Sequence, residues 1–336
     1  MTNVMILLLR SFLLVAMFVC PCWPAEDTTP AGEMLLVVGA GGTDEYTEIF
    51  RGWADQWLSI AKQANLDCLE ISGKGDKSNR DQLQEEISNR LQGETPLWLV
   101  FLGHGTHDRN LAKFNLSGPD VSAIELKEWL GDCQRPLIAV QGFSCSGAFM
   151  RHLSGKDRVV ITATNSGAEL NYSRFGGYLA QSLDDKEADL DHDEQVSLLE
   201  AFLLASSKVA RFYESESRLA TEHALLEDNQ DGKGTSGDFF VGIRAEGKSK
   251  DGSSLDGRLA HRYIIVPSKN APQLSPEQLQ RRDQIENEIE ALRLKKKSMS
   301  EDAYYSDLER LMVELARLYA STDSVDAETG DVELLR

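Results

Sequence analysis

The chain has 336 residues, of which 41% are hydrophobic and 26% charged, and this composition excludes collagen-like, fully disordered and multi-spanning membrane proteins. Asp and Glu total 54 against 35 Lys and Arg, which gives a formal net charge of −19. A surface of that charge repels phosphate backbones and anionic lipid, so we expect neither nucleic acid nor a lipid surface as a partner.

Residues 1–25 have the pattern of an export signal. Arg10 precedes the apolar run SFLLVAMFV, and no acidic residue occurs before Glu26. We therefore expect a cleaved signal peptide, a periplasmic or extracellular location, and no stable membrane span after cleavage. Retention of the same run as a signal anchor is the alternative.

Three cysteines remain after such a cleavage, at Cys68, Cys133 and Cys145. An odd number of thiols in an exported protein suggests that one of them has a chemical role. Cys68 and Cys133 either form a disulfide or are both buried as thiols, and packing is the common role of any single buried cysteine.

Apolar runs alternate with helix-like stretches through most of the chain. The run LWLVFLG is continuous, which is typical of a strand buried on both faces. Strand–helix alternation predicts a mostly parallel sheet covered on both sides, an α/β fold with three α/β/α layers. The pattern predicts strands within 34–42, 68–71, 97–103, 136–142, 158–164 and 262–266, and helices at 44–64, 78–92 and 122–131.

The sequence changes character after Pro267, where we place the end of a domain that begins at residue 33. Residues 274–320 carry two apolar stripes at helical spacing, which predicts a C-terminal helical hairpin packed on the domain or on a protein partner. A solvated amphipathic appendage is the alternative. The acidic segment 321–336 is predicted to be a disordered tail. The stripes consist of Ile285, Ile289 and Leu292 and of Leu308, Leu311, Leu315 and Leu318.

The glycine loop GAGG (39–42) ends the first predicted strand. A dinucleotide-binding fingerprint needs a third glycine two positions beyond Gly42, where this chain has Asp44 followed by Glu45. Two carboxylates at a helix start repel a pyrophosphate, so the loop is read as a tight turn.

A histidine follows the third strand, in LGHGTHD (102–108). His104 lies between two glycines, a placement that suits a proton shuttle facing a cleft, although strand-end histidines also cap loops. His107 and Asp108 lack a third ligand at metal-binding spacing.

A cysteine follows the next strand, in QGFSCSGAF (141–149). Cys145 stands where a helix is predicted to begin, so the helix dipole is expected to lower its pKa and make it a nucleophile. His104 and Cys145 lie 41 residues apart at the ends of sequential strands, and the pair predicts acyl transfer through a cysteine and a histidine.

The blocks LWLVFLGHG, PLIAVQGFSCSGAF and VVGAGGTDEYTEIFRGWAD resemble the legumain (asparaginyl endopeptidase) family of the caspase-like clan of cysteine peptidases, over residues 33–245. The resemblance implies a caspase-like fold, a peptide or protein substrate, and no cofactor for catalysis. It implies that His104 is the general base, that Cys145 forms a thioester, and that the backbone N–H groups of Gly105 and Cys145 make the oxyanion hole.

The resemblance also implies a substrate pocket lined by Arg51, Thr164, Asn165, Ser166 and Glu169. Loop capping is the alternative role for the last four residues. Legumains carry an acidic residue beside the cysteine, where this chain has serines on both sides, and a helical hairpin stands where mammalian legumains have a prodomain. A catalytically inactive binding module stabilised by calcium, and a transpeptidase or ligase, are the alternative functions.

Two further segments have the oxygen-ligand spacing of calcium loops. In ADLDHDEQVSLLEAF (188–202) the sixth position is Glu194 instead of glycine, and a helix N-cap is the alternative reading. In EDNQDGKGTSGD (227–238) the eighth position is Gly234 instead of an apolar residue, and a polar turn is the alternative. The candidate ligands are Asp189, Asp191, Asp193, Ser197 and Glu200 in the first segment, and Glu227, Asn229, Asp231 and Asp238 in the second.

Overall fold

The structure, a computed structural model, describes residues 30–73, 77–109, 111–246, 255–266 and 274–329. The predicted export signal and the boundary at Pro267 lie outside these residues. The strands are β1 (Gly32–Val38), β2 (Leu66–Ile71), β3 (Leu97–Gly103), β4 (Gly105–Asp108), β5 (Leu111–Phe114), β6 (Val121–Ser122), β7 (Leu137–Phe143), β8 (Arg158–Thr162), β9 (Leu225–Glu227), β10 (Thr235–Ser236), β11 (Phe240–Val241) and β12 (Arg244–Ala245). The helices are α1 (Asp44–Gln63), α2 (Asn79–Asn89), α3 (Ala123–Trp129), α4 (Met150–Leu153), α5 (Phe175–Ser182), α6 (Leu198–Ser215), α7 (Arg258–Arg262), α8 (Pro276–Lys295) and α9 (Glu301–Thr329).

A seven-stranded sheet in the order β10-β9-β8-β7-β3-β1-β2 forms the centre of the molecule. The five strands from β2 to β8 run parallel, and β9 and β10 add an antiparallel edge. One apolar core lies between the sheet and helices α1, α5 and α6, and a second lies between the sheet and helices α2, α3 and α4. The predicted three-layer α/β/α fold with a mostly parallel sheet is therefore confirmed.

Strand β3 shows why the central strands have no polar side. All seven of its residues are buried, and Trp98, Val100 and Leu102 enter one core while Leu99 and Phe101 enter the other. Successive side chains of a strand point to opposite faces, so a strand covered on both faces must be apolar at every position. The carboxyl ends of β3 and β7 therefore meet at one edge of a rigid, buried sheet.

Helix α1 follows β1 and covers that same edge. The Thr43 side chain accepts a hydrogen bond from the Tyr46 N–H at 3.4 Å and caps the helix. Trp57 is fully buried, and its indole N–H donates to the Gly176 carbonyl at 3.1 Å, which fixes α1 against α5.

The exposed residue Gly52 lies in the middle of α1, where a Cβ atom would meet nothing within 4 Å. Replacing Gly52 with Ala is expected to stabilise the protein by about 0.5–1 kcal/mol, because alanine loses less backbone entropy on folding into a helix. Urea unfolding followed by circular dichroism measures the change. A decrease in stability would contradict the solvent-facing placement of this position.

The C-terminal hairpin is formed by α8 and α9. Ile285, Ile289 and Leu292 pack against Tyr304 and Leu311, so the two predicted stripes meet. Helix α9 continues through residues 321–329, a part of the segment predicted to be disordered, and residues 330–336 lie outside the described residues. None of the helices described in the structure is both long and apolar enough to span a membrane.

The hairpin is held to the rest of the protein through α7. The Arg262 guanidinium donates to the Asp283 carbonyl at 3.2 Å and to the Asn287 side chain at 3.1 Å, both on α8. The hairpin thus packs on the domain, one of the two arrangements expected from the sequence.

The predicted strand at 262–266 is wrong. Helix α7 occupies Arg258–Arg262, and Ile264 makes only a single antiparallel bridge to Ser197. The cause lies outside the segment, because the Asp228 carboxylate accepts the Gly257, Leu259 and Ala260 N–H groups at 2.7–2.9 Å and nucleates the helix there.

Candidate active site

The predicted base and nucleophile emerge from adjacent parallel strands. Strands β3 and β7 pair with Gly103 opposite Phe143, so His104 and Cys145 follow them at the same edge of the sheet. A Cβ atom built on Gly105 would lie 2.8 Å from Cys145 Sγ. The thiol therefore packs against the backbone of the residue that follows His104.

Cys145 occupies a strained backbone conformation at a sharp turn. Its φ of 57° and ψ of 11° lie in the left-handed region, which non-glycine residues rarely adopt. Such strain costs about 1–3 kcal/mol and is common at functional sites, where the surrounding structure holds it in place.

The backbone turn at Cys145 is held by hydrogen bonds between the residues that follow it and the residues that follow β8. The Ser146 hydroxyl accepts the N–H groups of Ala163 at 3.0 Å and Thr164 at 3.2 Å, and the Thr164 hydroxyl accepts the Gly147 N–H at 2.9 Å. Thr164 is fully buried. Its predicted place in a pocket wall is therefore replaced by a support beneath the catalytic turn.

The predicted lowering of the cysteine pKa is wrong. The turn is followed by a 3-10 helix of three residues, Ser146–Ala148, and then by the four-residue α4, so no long helix dipole reaches the sulfur. The thiol is instead fully buried, and burial raises the pKa of Cys145 to about 12. At neutral pH this conformation holds a protonated thiol.

The imidazole of His104 is half-buried among aromatic rings. The ring centroid lies 4.7 Å from Tyr46, 5.0 Å from Phe50 and 6.1 Å from Tyr172. Burial lowers the pKa of His104, and a hydrogen bond to the Gly41 backbone acts in the opposite direction. The ring is thus biased towards the neutral form that a general base needs.

Both predicted oxyanion-hole donors already have acceptors within the protein. The Gly105 N–H donates to the Ser144 hydroxyl at 3.1 Å, and the Cys145 N–H donates to the Glu169 carbonyl at 2.7 Å. No hydrogen bond joins Cys145 Sγ to the His104 ring in the described part of the chain. Both N–H groups are therefore occupied, and we call this conformation closed.

Residues 165–172, which we call the covering segment, close the site. The Glu169 carboxylate accepts the Asn165 N–H at 2.8 Å and the His223 N–H at 3.3 Å, and it also pairs with the His223 ring. The Glu169 backbone carbonyl accepts the Cys145 N–H, and Tyr172 of the same segment lies beside His104. Three predicted pocket residues, Asn165, Ser166 and Glu169, thus belong to the segment that covers the cysteine.

Arg51 is not brought to this group. Its guanidinium donates to Glu70 on the edge strand β2 at 2.6 Å and to Asp55, one helical turn away, at 2.8 Å. The structure pairs the predicted pocket arginine with these carboxylates and places no other predicted pocket residue beside it.

Several residues around the two reacting groups were not found from the sequence. Tyr46, Phe50 and Trp53 recur at a spacing that predicts the helix but no contact with His104, whereas Tyr46 and Phe50 lie against its ring. Tyr172, stacked on Trp53 with centroids 5.8 Å apart, carried no pattern that would identify it. His223 became recognisable only through its contact with Glu169.

The other two cysteines among the described residues are thiols. Cys68 and Cys133 are both free, so among the described residues the disulfide alternative is replaced by two unpaired cysteines. The Cys133 thiol lies 3.6 Å from the Arg135 carbonyl, and burial raises the pKa of Cys68 to about 11.

The first predicted calcium loop brings its aspartates together. Ligand oxygens of Asp189, Asp191 and Asp193 all lie within 4.8 Å of one another. Glu194, at the position where such loops have glycine, has φ of 67° and takes the backbone conformation of that glycine.

The remaining two predicted ligands of this loop form a helix cap. The Ser197 hydroxyl and N–H both donate to the Glu200 carboxylate, at 2.7 and 2.8 Å, in a capping box at the start of α6. The other Glu200 oxygen accepts the Leu190 N–H at 2.8 Å. Glu200 therefore caps the helix and also contacts the loop, so the helix-cap alternative is confirmed and calcium binding stays a prediction.

No family model matches this chain, and no curated protein matches its sequence. Solved structures do match, among them the Drosophila initiator caspase Dronc, with a TM-score of 0.43 and 14% sequence identity over 60% of this chain and 81% of that one. Similarity at this level assigns no activity to the chain.

Proposed function

We propose that this protein is a caspase-like cysteine endopeptidase in which Cys145 is the nucleophile and His104 moves the proton. The observation that carries the proposal is the strained left-handed turn that places the Cys145 thiol against Gly105, directly after His104. The resemblance of the two strand-end blocks to legumains supports the same assignment.

The chemistry follows from the adjacent groups. His104 takes the thiol proton while Sγ attacks the scissile carbonyl carbon, and a tetrahedral oxyanion forms. The imidazolium then protonates the departing amine, the thioester remains on Cys145, and a water molecule activated by His104 releases the acid. The Gly105 and Cys145 N–H groups stabilise the oxyanion once Ser144 and Glu169 no longer occupy them, an interaction worth about 3 kcal/mol of the barrier.

The proposal also concerns substrate preference, namely which residue of the peptide is recognised before the scissile bond. The legumain resemblance supports Asn or Asp, whereas the Glu169 carboxylate beside the site favours a cationic side chain. A positional peptide library, run with the wild-type protein and with Cys145→Ala, separates the two. Cleavage by the Cys145→Ala protein at the wild-type rate would contradict the assignment of Cys145 as the nucleophile.

A specific observation favours a second function, that of an inactive binding module. The Cys145 thiol is buried, and its high pKa opposes nucleophilic attack. Iodoacetamide reactivity of Cys145 at pH 6 distinguishes the two, since the enzyme needs a conformation with a reactive thiolate and the binding module does not. Mass spectrometry of products with an added amine separates hydrolysis from transpeptidation.

We also propose export directed by residues 1–25, from the pattern around Arg10. N-terminal sequencing of the protein recovered outside the cytoplasm is expected to begin just after Cys22 or just after Ala25, the two residues with small side chains at the end of the segment. Recovery of an intact N-terminus in the membrane fraction would instead indicate a signal anchor.

The convergence of Asp189, Asp191 and Asp193 supports the calcium expected in this loop, as a structural ion and not as a participant in catalysis. Replacing Asp191 with Asn is expected to abolish the part of the thermal stabilisation by Ca²⁺ that this loop supplies, about 2.7 kcal/mol at a free concentration of one hundred times Kd. Differential scanning calorimetry with EDTA and with Ca²⁺ measures the effect. Glu187→Gln, at an exposed carboxylate next to the loop, is the matched control, and an equal Ca²⁺ response in both variants would exclude this ion site.

A further inference from the structure

A buried carboxylate at the end of β9, where the chain turns towards β10, lacks a hydrogen-bond partner for one of its oxygens among the described residues. Glu227 is fully buried, and its Oε1 accepts the Ser154 hydroxyl at 3.0 Å and the Gly232 N–H at 3.3 Å. Its Oε2 has no hydrogen-bond partner in the part of the chain that the structure describes. Burying a carboxylate oxygen without a partner is unfavourable, so this atom requires a donor or a cation.

The carboxylate of Glu227 points into its own turn. Gly232, which donates to it, lies five residues along the chain, so residues 227–232 wrap around the carboxyl group. We call residues 227–232 the Glu227 turn. The carboxyl group is therefore held between this short, polar turn and the Ser154 hydroxyl.

The Glu227 turn carries two more oxygen-bearing side chains at alternate positions. Asn229 accepts the Asp231 N–H at 2.9 Å, and Asp231 accepts the Lys233 N–H at 2.7 Å, so both side chains fold back onto the backbone of the turn. Gly232 has φ of 70°, the left-handed conformation that glycine provides at the sixth position of calcium loops. Oxygen ligands at positions one, three and five followed by such a glycine form the first half of a calcium-binding loop.

We propose that the Glu227 turn binds a calcium ion through the side-chain oxygens of Glu227, Asn229 and Asp231, and that this ion supplies the missing partner of Glu227 Oε2. Only oxygen donors are present, which selects a hard cation. Calcium fits better than magnesium because it accepts irregular coordination by carboxylates and carbonyls, whereas magnesium requires near-ideal octahedral geometry.

The ion would strengthen the support behind the cysteine turn. Ser154, which donates to Glu227, immediately follows α4, and a Cβ atom on Gly232 would lie 3.4 Å from the Arg151 side chain of the same helix. Helix α4 begins five residues after Cys145. Calcium in the Glu227 turn therefore fixes the edge of the sheet against the helix that follows the nucleophile.

The turn is also connected to the loop of Asp189–Asp193. Asp228 caps α7, and His261 of α7 lies 3.3 Å from Ser197 and 3.7 Å from Asp191. Because both loops contact α7, Ca²⁺ bound in the loop of Asp189–Asp193 would contribute to the same measured binding and stability as Ca²⁺ bound in the Glu227 turn. The test must therefore be made with the first loop disabled.

The experiment uses the full chain carrying Asp191→Asn, stripped of metal with EDTA, and titrates it with Ca²⁺ by isothermal calorimetry. We expect one equivalent of bound Ca²⁺ in this parent, and a Kd at least about tenfold weaker when Glu227→Gln is added, because one anionic ligand is lost. Glu216→Gln, at an exposed carboxylate directly after α6, is the matched control and is expected to bind as the parent does.

Thermal unfolding separates an ion site from a purely structural carboxylate. Without metal, the Glu227→Gln variant is expected to be at least as stable as its parent, since the buried charge is removed, and with Ca²⁺ the parent is expected to become the more stable of the two. A variant destabilised equally with and without Ca²⁺ would overturn the proposal.

Two further results would contradict the site. Absence of Ca²⁺ binding by the parent would mean that a proton or a water molecule satisfies Glu227 Oε2, and equal affinity in parent and Glu227→Gln would mean that the ion binds elsewhere. If Glu227→Gln does not fold, Asp231→Asn on the exposed side of the turn is expected to weaken Ca²⁺ binding in the same way.

Discussion

Replacing Cys145 with Ala is expected to remove peptidase activity, with a fall in kcat of about 10⁴-fold or more, because the thioester cannot form without the sulfur. Labelling by a peptidyl acyloxymethyl ketone is expected to disappear with it. The fold should persist, since a fully buried thiol is exchanged for a smaller apolar group, and the unfolding midpoint checks this. Activity on a quenched peptide library and gel detection of the probe are the measurements.

Cys133→Ala is the matched control, because it also removes a free thiol but lies away from the strand ends that carry the site. It should be labelled and should cleave peptides as the wild-type protein does. His104→Ala provides an independent check, with an expected loss of about 10²–10⁴-fold in kcat and a changed pH profile. Undiminished probe labelling of the Cys145→Ala protein would remove the nucleophile assignment.

The central sheet was predictable because burial on both faces leaves a distinctive pattern. The predicted strand at 97–103 coincides with β3, since every side chain there enters one of two apolar cores. The antiparallel edge of β9 and β10 was missed, because strands of three and two residues show no periodicity. The segment 262–266 was misread because its β-forming side chains are overridden by a cap from Asp228, about thirty residues away in sequence.

The strand ends that carry the candidate pair, His104 and Cys145, could also be predicted, but not the chemical state of the cysteine. Parallel strand ends meet at one edge whatever their side chains are, so the proximity of His104 and Cys145 follows from topology alone. The pKa of Cys145 depends on whether the covering segment lies over it. That segment follows β8, and its contact with the cysteine is made by the backbone carbonyl of Glu169, which no side-chain pattern reveals.

The closed state predicts that Cys145 reacts slowly with alkylating agents until the covering segment moves. A thiol with a pKa of about 12 has a thiolate fraction of about 10⁻⁵ at pH 7, compared with about 3% for an exposed cysteine. Reaction at neutral pH therefore proceeds mainly through molecules in which residues 165–172 have opened. The rate then reports the free energy of that local opening.

Replacing Glu169 with Ala is expected to accelerate alkylation of Cys145 by about tenfold to a hundredfold at pH 7, because the hydrogen bonds of this carboxylate to Asn165 and His223 are lost. The more exposed thiol has a lower pKa, so the rise of rate with pH should also move to lower pH. Mass spectrometry of the Cys145 peptide after timed iodoacetamide treatment measures both effects. Glu214→Ala, at an exposed carboxylate on α6, is expected to change neither.

Alkylation of Cys133 in the same samples separates local from global opening. It should be unchanged by Glu169→Ala if only the covering segment is released, and accelerated in parallel if the whole protein is destabilised. Equal alkylation rates of Cys145 in the wild-type and Glu169→Ala proteins would show that the Glu169 carboxylate does not hold the site closed. Faster alkylation of Cys145 with unchanged alkylation of Cys133 would identify a local movement of residues 165–172. Because the Glu169 carbonyl occupies the Cys145 N–H, this movement would also free that N–H for an oxyanion.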